Sequence, residues 1–521
     1  MAFILLVSLA ILLAVYLNYN FQKLQSSWFS PLAKRCDKLS AIKKGIWDVP
    51  GPYPVPFLGT KWTFLLGQYK ITKLHEAYKC MNEKYGPIVL EVTPGGVPIA
   101  HLFEKTDIEK VLKYPSKYPF RPPTEIVVYY RKSRPDRYAS VGITNEQGPT
   151  WQRLRSALTS HITSPKILQN FLPSLNSVCD DFIELLRHKR NPITMEVEHF
   201  EDVANLMGLE AVCTLMLGRR MGFLSTESEQ PEKVKLLAKA VKQLFVSQRD
   251  SYYGYGLWKY IPTRTYSQFS ESEDFVYDMI SEMVEKALRD EEIEVTNLDD
   301  EDLKSIFISI LQLKDIDIRD KKSAIIDFVA AGIETLANTL IFVLNFVTSH
   351  SNATEQILAE FQVHTSSVIL QDAITNAKFT KACLQETYRL QPTAFCLARI
   401  LEEDTTLSGY ELKTGTVVLC QNMIACHKNS NFKNASQFIP ERWIENGTFN
   451  VNIESSSIVV PFGIGKRTCP GKRFVEMEVI LLLAKMVLAF DISFPKPLET
   501  EFEFLLVPKT PLSLILKERS V

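Results

Sequence analysis

The sequence predicts a mainly α protein with a minor β region, and three stretches carry that expectation. Residues 319–350 form one long helical pattern interrupted only by glycine, and residues 474–490 form a second, apolar one. Between Ile88 and Leu102 the chain is instead rich in Val, Ile and Leu, with partial alternation about Pro94-Gly95-Gly96. That is the pattern of a small sheet with a turn. Most of the remainder reads as helix.

With 521 residues, 46% hydrophobic and 23% charged, the chain can bury a large core. Length alone suggests more than one domain, yet no repeat, low-complexity run or Gly/Ser linker marks a split. The expected organisation is an apolar anchor or targeting segment (1–22), a basic linker (23–49) and a single catalytic domain (50–521). A net charge of -1 gives no reason to expect nucleic acid. Nine cysteines, an odd number without framework spacing, point to a reducing compartment. The eight histidines do not cluster with carboxylates, so a histidine-built metal site is not expected.

Ala2 to Leu17 is uncharged and almost wholly apolar. As a helix it reaches about 24 Å, short of the roughly 30 Å hydrocarbon core unless Asn18 to Gln22 contribute. Lys23, Lys34, Arg35, Lys38, Lys43 and Lys44 follow against the single acid Asp37, interleaved with serines, which has the look of a mitochondrial presequence. The apolar start suits an endoplasmic-reticulum anchor better, so two addresses stay open: the mitochondrial inner membrane facing the matrix, and the endoplasmic-reticulum membrane. Pro50-Gly51-Pro52-Tyr53-Pro54-Val55-Pro56 then forms an extended arm.

Trp151 and Arg155 stand four apart on one helix face, where a ring and a guanidinium can meet a common partner. Residues 290–302 carry eight acids and read as a solvated loop. At the centre of the long helix, Ala330-Ala331-Gly332-Ile333-Glu334-Thr335 places Phe328, Ala331 and Thr335 on one face. Gly332 opens a gap that serves either a helix crossing or a ligand, and an acid with an alcohol beside it can pass protons. Glu386 and Arg389, three apart, can pair.

Phe462-Gly463-Ile464-Gly465-Lys466-Arg467-Thr468-Cys469-Pro470-Gly471 sets one cysteine on a glycine turn before the last apolar helix. Helix-terminal amides and Arg467 are expected to lower the thiol pKa. A haem iron held by Cys469 meets these demands, and no Cys-x-x-Cys-His occurs to suggest a c-type attachment.

This decamer resembles the haem-ligand signature of the cytochrome P-450 family, Phe-Gly-x-Gly-x-Arg-x-Cys-x-Gly, at every fixed position. Four more stretches resemble that family's motifs in order: the Pro-Gly-Pro arm, Trp151-x-x-x-Arg155, Ala331-Gly332-x-Glu334-Thr335, and Glu386-x-x-Arg389 with Phe438-Ile-Pro-Glu-Arg442-Trp443. The resemblance implies the cytochrome P-450 fold, with haem b between the Ala331–Thr335 helix and the Cys469 loop. Cys469 would be the axial ligand, a thiolate that pushes electron density onto iron. Trp151, Arg155, Arg399 and Arg467 would meet the haem propionates, with Phe462 beside the ring. Thr335 and Glu334 would deliver protons while O2 is the co-substrate. Glu386, Arg389 and Arg442 would form a buried network that locks the Cys469 loop. Leu336 departs from the family pattern, where a second Thr or Ser is common.

Gly471-Lys472-Arg473 followed by Glu476 and Glu478 is similar to the family's mitochondrial clan. Clan members take electrons from an adrenodoxin-like ferredoxin and its reductase, ultimately from NADPH, so Lys381, Lys472 and Arg473 are implied docking residues. Residues 121–142, 205–213, 247–253 and 392–399 closely resemble an insect steroid hydroxylase of that clan. This implies hydroxylation of ecdysone at carbon 20 by a membrane-associated enzyme, with Ile126, Phe328, Ala331, Phe395 and Leu506 as expected pocket residues. The rival expectations are another steroid or a lipophilic xenobiotic as substrate, and a haem-thiolate sensor without turnover.

Overall fold

A computed structural model describes residues 44–160, 165–226, 232–254, 256–294, 306–350, 352–362 and 368–519. The apolar segment 1–22, the basic stretch as far as Lys43 and the acidic residues from 295 onward lie outside the described residues. The elements used below are β1 (Ile88–Val92), β2 (Pro98–Leu102), α1 (Glu125–Ser133), α2 (Gly148–Thr159), α3 (Phe200–Leu217), α4 (Glu232–Tyr253), α5 (Arg264–Glu294), α6 (Ile318–Ser349), α7 (Lys378–Leu390), β3 (Leu397–Ile400), β4 (Val417–Cys420), α8 (Lys472–Ala489), β5 (Thr500–Phe502) and β6 (Leu506–Pro508).

Helix α6 is the axis of the fold. Asp317 starts it by accepting from the Arg319 amide at 2.9 Å, the usual way an N-cap carboxylate satisfies an orphan donor. Its apolar run is long enough to cross a membrane, but it is two-thirds buried inside the protein and packs across α3. The crossing is close because both helices lack side chains there. A Cβ on Gly332 would lie 2.9 Å from Val212 Cγ2, and one on Gly208 would lie 2.7 Å from the Ile333 carbonyl. Each glycine is therefore fixed by the partner helix.

β1 and β2 form the expected hairpin, with Val92 opposite Pro98. The sheet then gains β4 parallel to β2 and β3 antiparallel to β4, which carries Arg399 into the body of the protein. The proline arm is pinned to this sheet: the Leu90 amide donates to the Pro50 carbonyl at 2.8 Å, and a Cβ on Gly51 would meet the Leu90 carbonyl at 2.2 Å.

Two boundaries shift. Residues 44–49 already pack on the body, since the Glu411 amide donates to the Lys44 carbonyl at 2.7 Å and Val49 is buried in the main core. The expected acidic loop begins as helix, because residues 290–294 continue α5.

Candidate haem-thiolate site

Between α6 and the 462–471 loop lies a cavity of about 440 Å³. The loop is shaped by Gly463 and Gly465, at φ 75° and 69°, and closed by the Cys469 amide donating to the Phe462 carbonyl at 2.8 Å. The Phe462 ring meets Tyr388 of α7 edge-on at 5.3 Å. Cys469 faces the cavity, exposed to it yet deep in the molecule. The expectation of a low pKa fails for the protein alone. Burial pushes the thiol up, outweighing the Gly471 and Lys472 amides and Arg155, which pull it down.

Four arginines line the cavity: Arg121, Arg155, Arg399 and Arg467. Their visible partners are chiefly carbonyls. Arg121 Nε donates to Thr144 at 2.9 Å, Arg155 Nη2 to Thr468, and Arg399 Nη1 to Ala398 at 2.8 Å. Arg467 donates to the carbonyls of Pro119 and Glu146 and to Gln147 Oε1, each at 2.9 Å. Its guanidinium lies 3.8 Å from the Trp151 ring centroid, a cation–π contact. None of the four forms an ion pair with a carboxylate among the described residues. Burial first, then the mutual repulsion of these cations, pulls Arg467 down to about 9 and Arg121 to about 10. Burial likewise lowers Arg155 and Arg399.

Four cations without an ion-pair partner among the described residues fit a ligand that brings two carboxylates. Apolar walls and a facing sulfur add the other requirements of an iron porphyrin. The residues present therefore fit haem b. Arg121 joins the expected set as an addition, which no motif in the sequence signalled.

On the opposite wall stand Asp327, Phe328, Ala331, Gly332, Thr335 and Thr339. Thr335 Oγ1 donates to its own helix at the Ala331 carbonyl, 2.7 Å away. Glu334 lies behind the wall rather than on it, 5% exposed, with Oε2 unpartnered. Burial, reinforced by Glu503 and opposed by Lys242, pushes its carboxyl up to about 8. Leu336 is core. The second hydroxyl comes one turn later, from Thr339, whose Oγ1 is 2.7 Å from the Thr335 carbonyl and 3.3 Å from Thr393 Oγ1.

Of the expected pocket residues, Phe328 and Ala331 line the cavity and three do not. Ile126 is sealed in the main core. Phe395 packs edge-on against Phe502 at 5.6 Å. Leu506 pairs with Phe502 across the β5–β6 hairpin and turns into the same second core. Its neighbour Leu505 reaches the cavity instead.

Behind the loop, Glu386 collects donors from four sources. Arg389 supplies Nε at 2.9 Å and Nη2 at 2.8 Å, and Arg442 Nε, Trp443 Nε1 and the Ile439 amide donate at 2.9, 2.8 and 3.0 Å. Arg389 also donates to the carbonyls of Cys426, Ala435 and Gln437. Glu386 and Arg389 are both 0% exposed, so the pair at the centre of this network is fully internal, while Arg442 closes it from a half-buried position.

At the start of α8, Lys381, Lys472 and Arg473 gather around Glu476, whose carboxyl burial raises while all three bases oppose. Lys472 Nζ is 3.8 Å from Glu476 and half exposed, and Arg473 is exposed. Lys381 Nζ donates to the Thr375 carbonyl at 2.6 Å.

The family profile described as Cytochrome P450 matches residues 49–516. The chain is 65% identical over its full length, and over the full length of that protein, to "Ecdysone 20-monooxygenase" of Drosophila melanogaster. It is 27% identical to "Cytochrome P450 302a1, mitochondrial" of the same species, covering 85% of this chain and 89% of that one. It is 26% identical to "Probable cytochrome P450 12a5, mitochondrial", covering 86% of each. Profile, relatives, helical architecture and the cavity between Cys469 and α6 converge on one conclusion: the chain belongs to the cytochrome P450 family.

Proposed function

We propose that this protein hydroxylates ecdysone at carbon 20, with O2 and two electrons from an adrenodoxin-like ferredoxin. The balance is one C–H bond, O2, two electrons and two protons in, and one C–OH bond and one water out. The observation that carries the chemistry is a single cavity combining a cysteine sulfur, four arginines that form no ion pair among the described residues, and a threonine hydroxyl. The choice of steroid rests on the likeness to ecdysone 20-monooxygenase along the whole chain.

Bound haem would supply the oxygen activation, with iron on Cys469 and the propionates on Arg121, Arg155, Arg399 and Arg467. Carboxylates entering this cluster would offset the burial that lowers all four arginine pKa values and the repulsion that adds to it at Arg121 and Arg467, and a cation at Cys469 favours its thiolate. Thr335 Oγ1 presents a hydroxyl at the wall. Glu334, with its carboxyl at about 8, keeps a proton near neutral pH and stands next to it in sequence. Phe328, Ala331 and Leu505 supply apolar surface that excludes water from the reacting carbon. Lys381, Lys472 and Arg473 supply a basic patch for an acidic donor protein. With a ferredoxin as donor, the address we infer is the matrix side of the mitochondrial inner membrane; the two more distant relatives are named as mitochondrial.

The test is turnover of ecdysone by the purified haem protein with a ferredoxin and its reductase, in parallel with a diflavin reductase. A 20-hydroxylated product with the ferredoxin pair alone supports substrate, donor and address together. Product with the diflavin reductase alone would move the enzyme to the endoplasmic reticulum. A good thiolate spectrum without product from either donor would remove the steroid assignment.

A further inference from the structure

One polar group in the substrate wall has no part in the chemistry above. Asp327 lines the cavity one turn before Ala331 and two turns before Thr335. All three lie on one face of α6, and the eight residues from Asp327 to Thr335 rise about 12 Å along the axis, the order of the length of a four-ring steroid skeleton.

Its carboxylate is held with unusual firmness. Arg131 Nη2 donates to Asp327 Oδ1 at 2.5 Å and Nη1 to Oδ2 at 3.0 Å. The same guanidinium donates from Nε and Nη2 to Glu273 Oε1 of α5 at 3.3 and 3.0 Å, and Nη1 reaches the Val141 carbonyl at 3.5 Å. It also lies 4.8 Å from the centroid of the Tyr138 ring, whose hydroxyl donates to Glu273 at 3.2 Å. Arg131 thus ties α1, α5 and α6 together. Gly142 makes the room: it sits at φ +82°, and a Cβ there would lie 2.3 Å from Arg131 Nη1 and 2.9 Å from Asp327 Oδ2.

Two carboxylates share one guanidinium, so the cluster keeps one formal negative charge. The two members that could disperse it, Arg131 and Glu273, are 6% and 7% exposed. Asp327 alone of the three borders the cavity. Each of its oxygens takes a bond from Arg131 and has acceptor capacity left. A preformed, charged acceptor in a wall otherwise lined here by Phe328, Ala331 and Gly332 calls for a hydroxyl donor on the ligand.

We propose that Asp327, clamped by Arg131, accepts hydrogen bonds from the hydroxyls on the steroid ring remote from the oxidised carbon, and so selects a polyhydroxylated sterol over a less hydroxylated one. This rests on the steroid reading of the cavity and adds to it which end of the substrate lies where.

The experiment compares ecdysone with its analogue lacking the ring hydroxyls at carbons 2 and 3. Wild type, Asp327→Ala and Asp327→Asn, each in the haem-bound form, are measured by equilibrium dialysis and by product formation. Loss of the Asp327 charge leaves Arg131 paired one-to-one with Glu273, and the reduced-CO thiolate spectrum reports an intact pocket. Should Asp327→Ala fail that check, the isosteric Asp327→Asn decides. Wild type should bind ecdysone about tenfold or more tighter than the analogue, the worth of a hydrogen bond to a charged group. The variant should bring that ratio close to one by weakening ecdysone alone. A ratio that stays at the wild-type value in both variants overturns the role of Asp327 and leaves the steroid reading standing. A wild-type protein that binds and hydroxylates neither compound overturns both.

Discussion

Two clusters of arginine, one around Glu386 and one lining the cavity, differ in one respect. Around Glu386 the charges close on themselves: carboxylate, guanidinium groups, indole N–H and carbonyls meet every requirement within the protein. Around the cavity Arg121, Arg155, Arg399 and Arg467 form no ion pair with a carboxylate among the described residues, and these cations repel one another. Burial is expensive for both, but only the first cluster offsets that cost internally. We infer from the difference that the first cluster acts as a lock and the second as a receptor. A closed cluster holds shape, whereas an open one holds its folding free energy in reserve until an anion arrives.

The largest effect should come from breaking the lock. Glu386→Ala would leave two guanidinium groups, the Trp443 indole and the Ile439 amide facing an empty space. Removing one partner of a buried ion pair costs about 3–5 kcal/mol. We expect the variant to lose most of that in chemical denaturation and to be recovered with little or no reduced-CO thiolate signal. A variant of wild-type stability would show that this network holds nothing.

Glu334 offers the next test, since it is buried like the first cluster yet unpaired like the second. Its folded pKa, about 8, lies above the usual 4.5. The folded state therefore keeps a proton that the unfolded chain releases, and stability is lost as pH rises through that window. Each pKa unit corresponds to about 1.4 kcal/mol, so the total penalty is a few kcal/mol. Glu334→Gln should match wild type near pH 4.5, exceed its stability increasingly up to pH 8, and then hold a constant margin. Denaturant midpoints across pH 4.5–9 measure this, and parallel curves would refute a buried, titrating Glu334.

A smaller effect with opposite signs tests the receptor. Arg399→Met removes one buried cation with only a neighbouring carbonyl as partner. Without haem, the variant should be as stable as wild type or more so by about 1 kcal/mol. With haem, it should release the group to a competing apoprotein roughly tenfold faster, as expected from one lost charge-assisted bond. Destabilisation of the haem-free form would place Arg399 with the lock instead.

How far the sequence anticipated these clusters follows from what each one is made of. Helix α6 was legible almost to the residue, because an apolar period over 32 residues leaves little choice. The cysteine loop was legible because glycines and the thiol are contiguous. Arg121 and Asp327 were not, since each matters through neighbours more than twenty residues away that only the fold brings near. Asp327 was one step from view: counting back a turn from Ala331 along the same face reaches it. Leu506 failed by one residue, the error a strand's twofold alternation makes natural. The Cys469 pKa failed because helix-end amides can be read from sequence while the depth of burial cannot.

The smallest effect belongs to a third arrangement, basic groups at the surface. Lys472 is half exposed and only loosely paired with Glu476 at 3.8 Å, and Arg473 is exposed on the same turn. Such charges add little to stability, about 0.5 kcal/mol or less. Their worth lies in attracting an oppositely charged partner, and it should fade once salt shortens the screening length to a few ångströms. Lys472→Gln combined with Arg473→Gln should thus leave the melting temperature and thiolate spectrum intact. It should raise the KM for reduced ferredoxin several-fold at low ionic strength, by less at 0.5 M salt, with kcat at saturating ferredoxin unchanged. An unaltered KM at low salt would move the docking face elsewhere on the molecule. A lowered melting temperature would show instead that these bases, like Arg389, are committed to the interior.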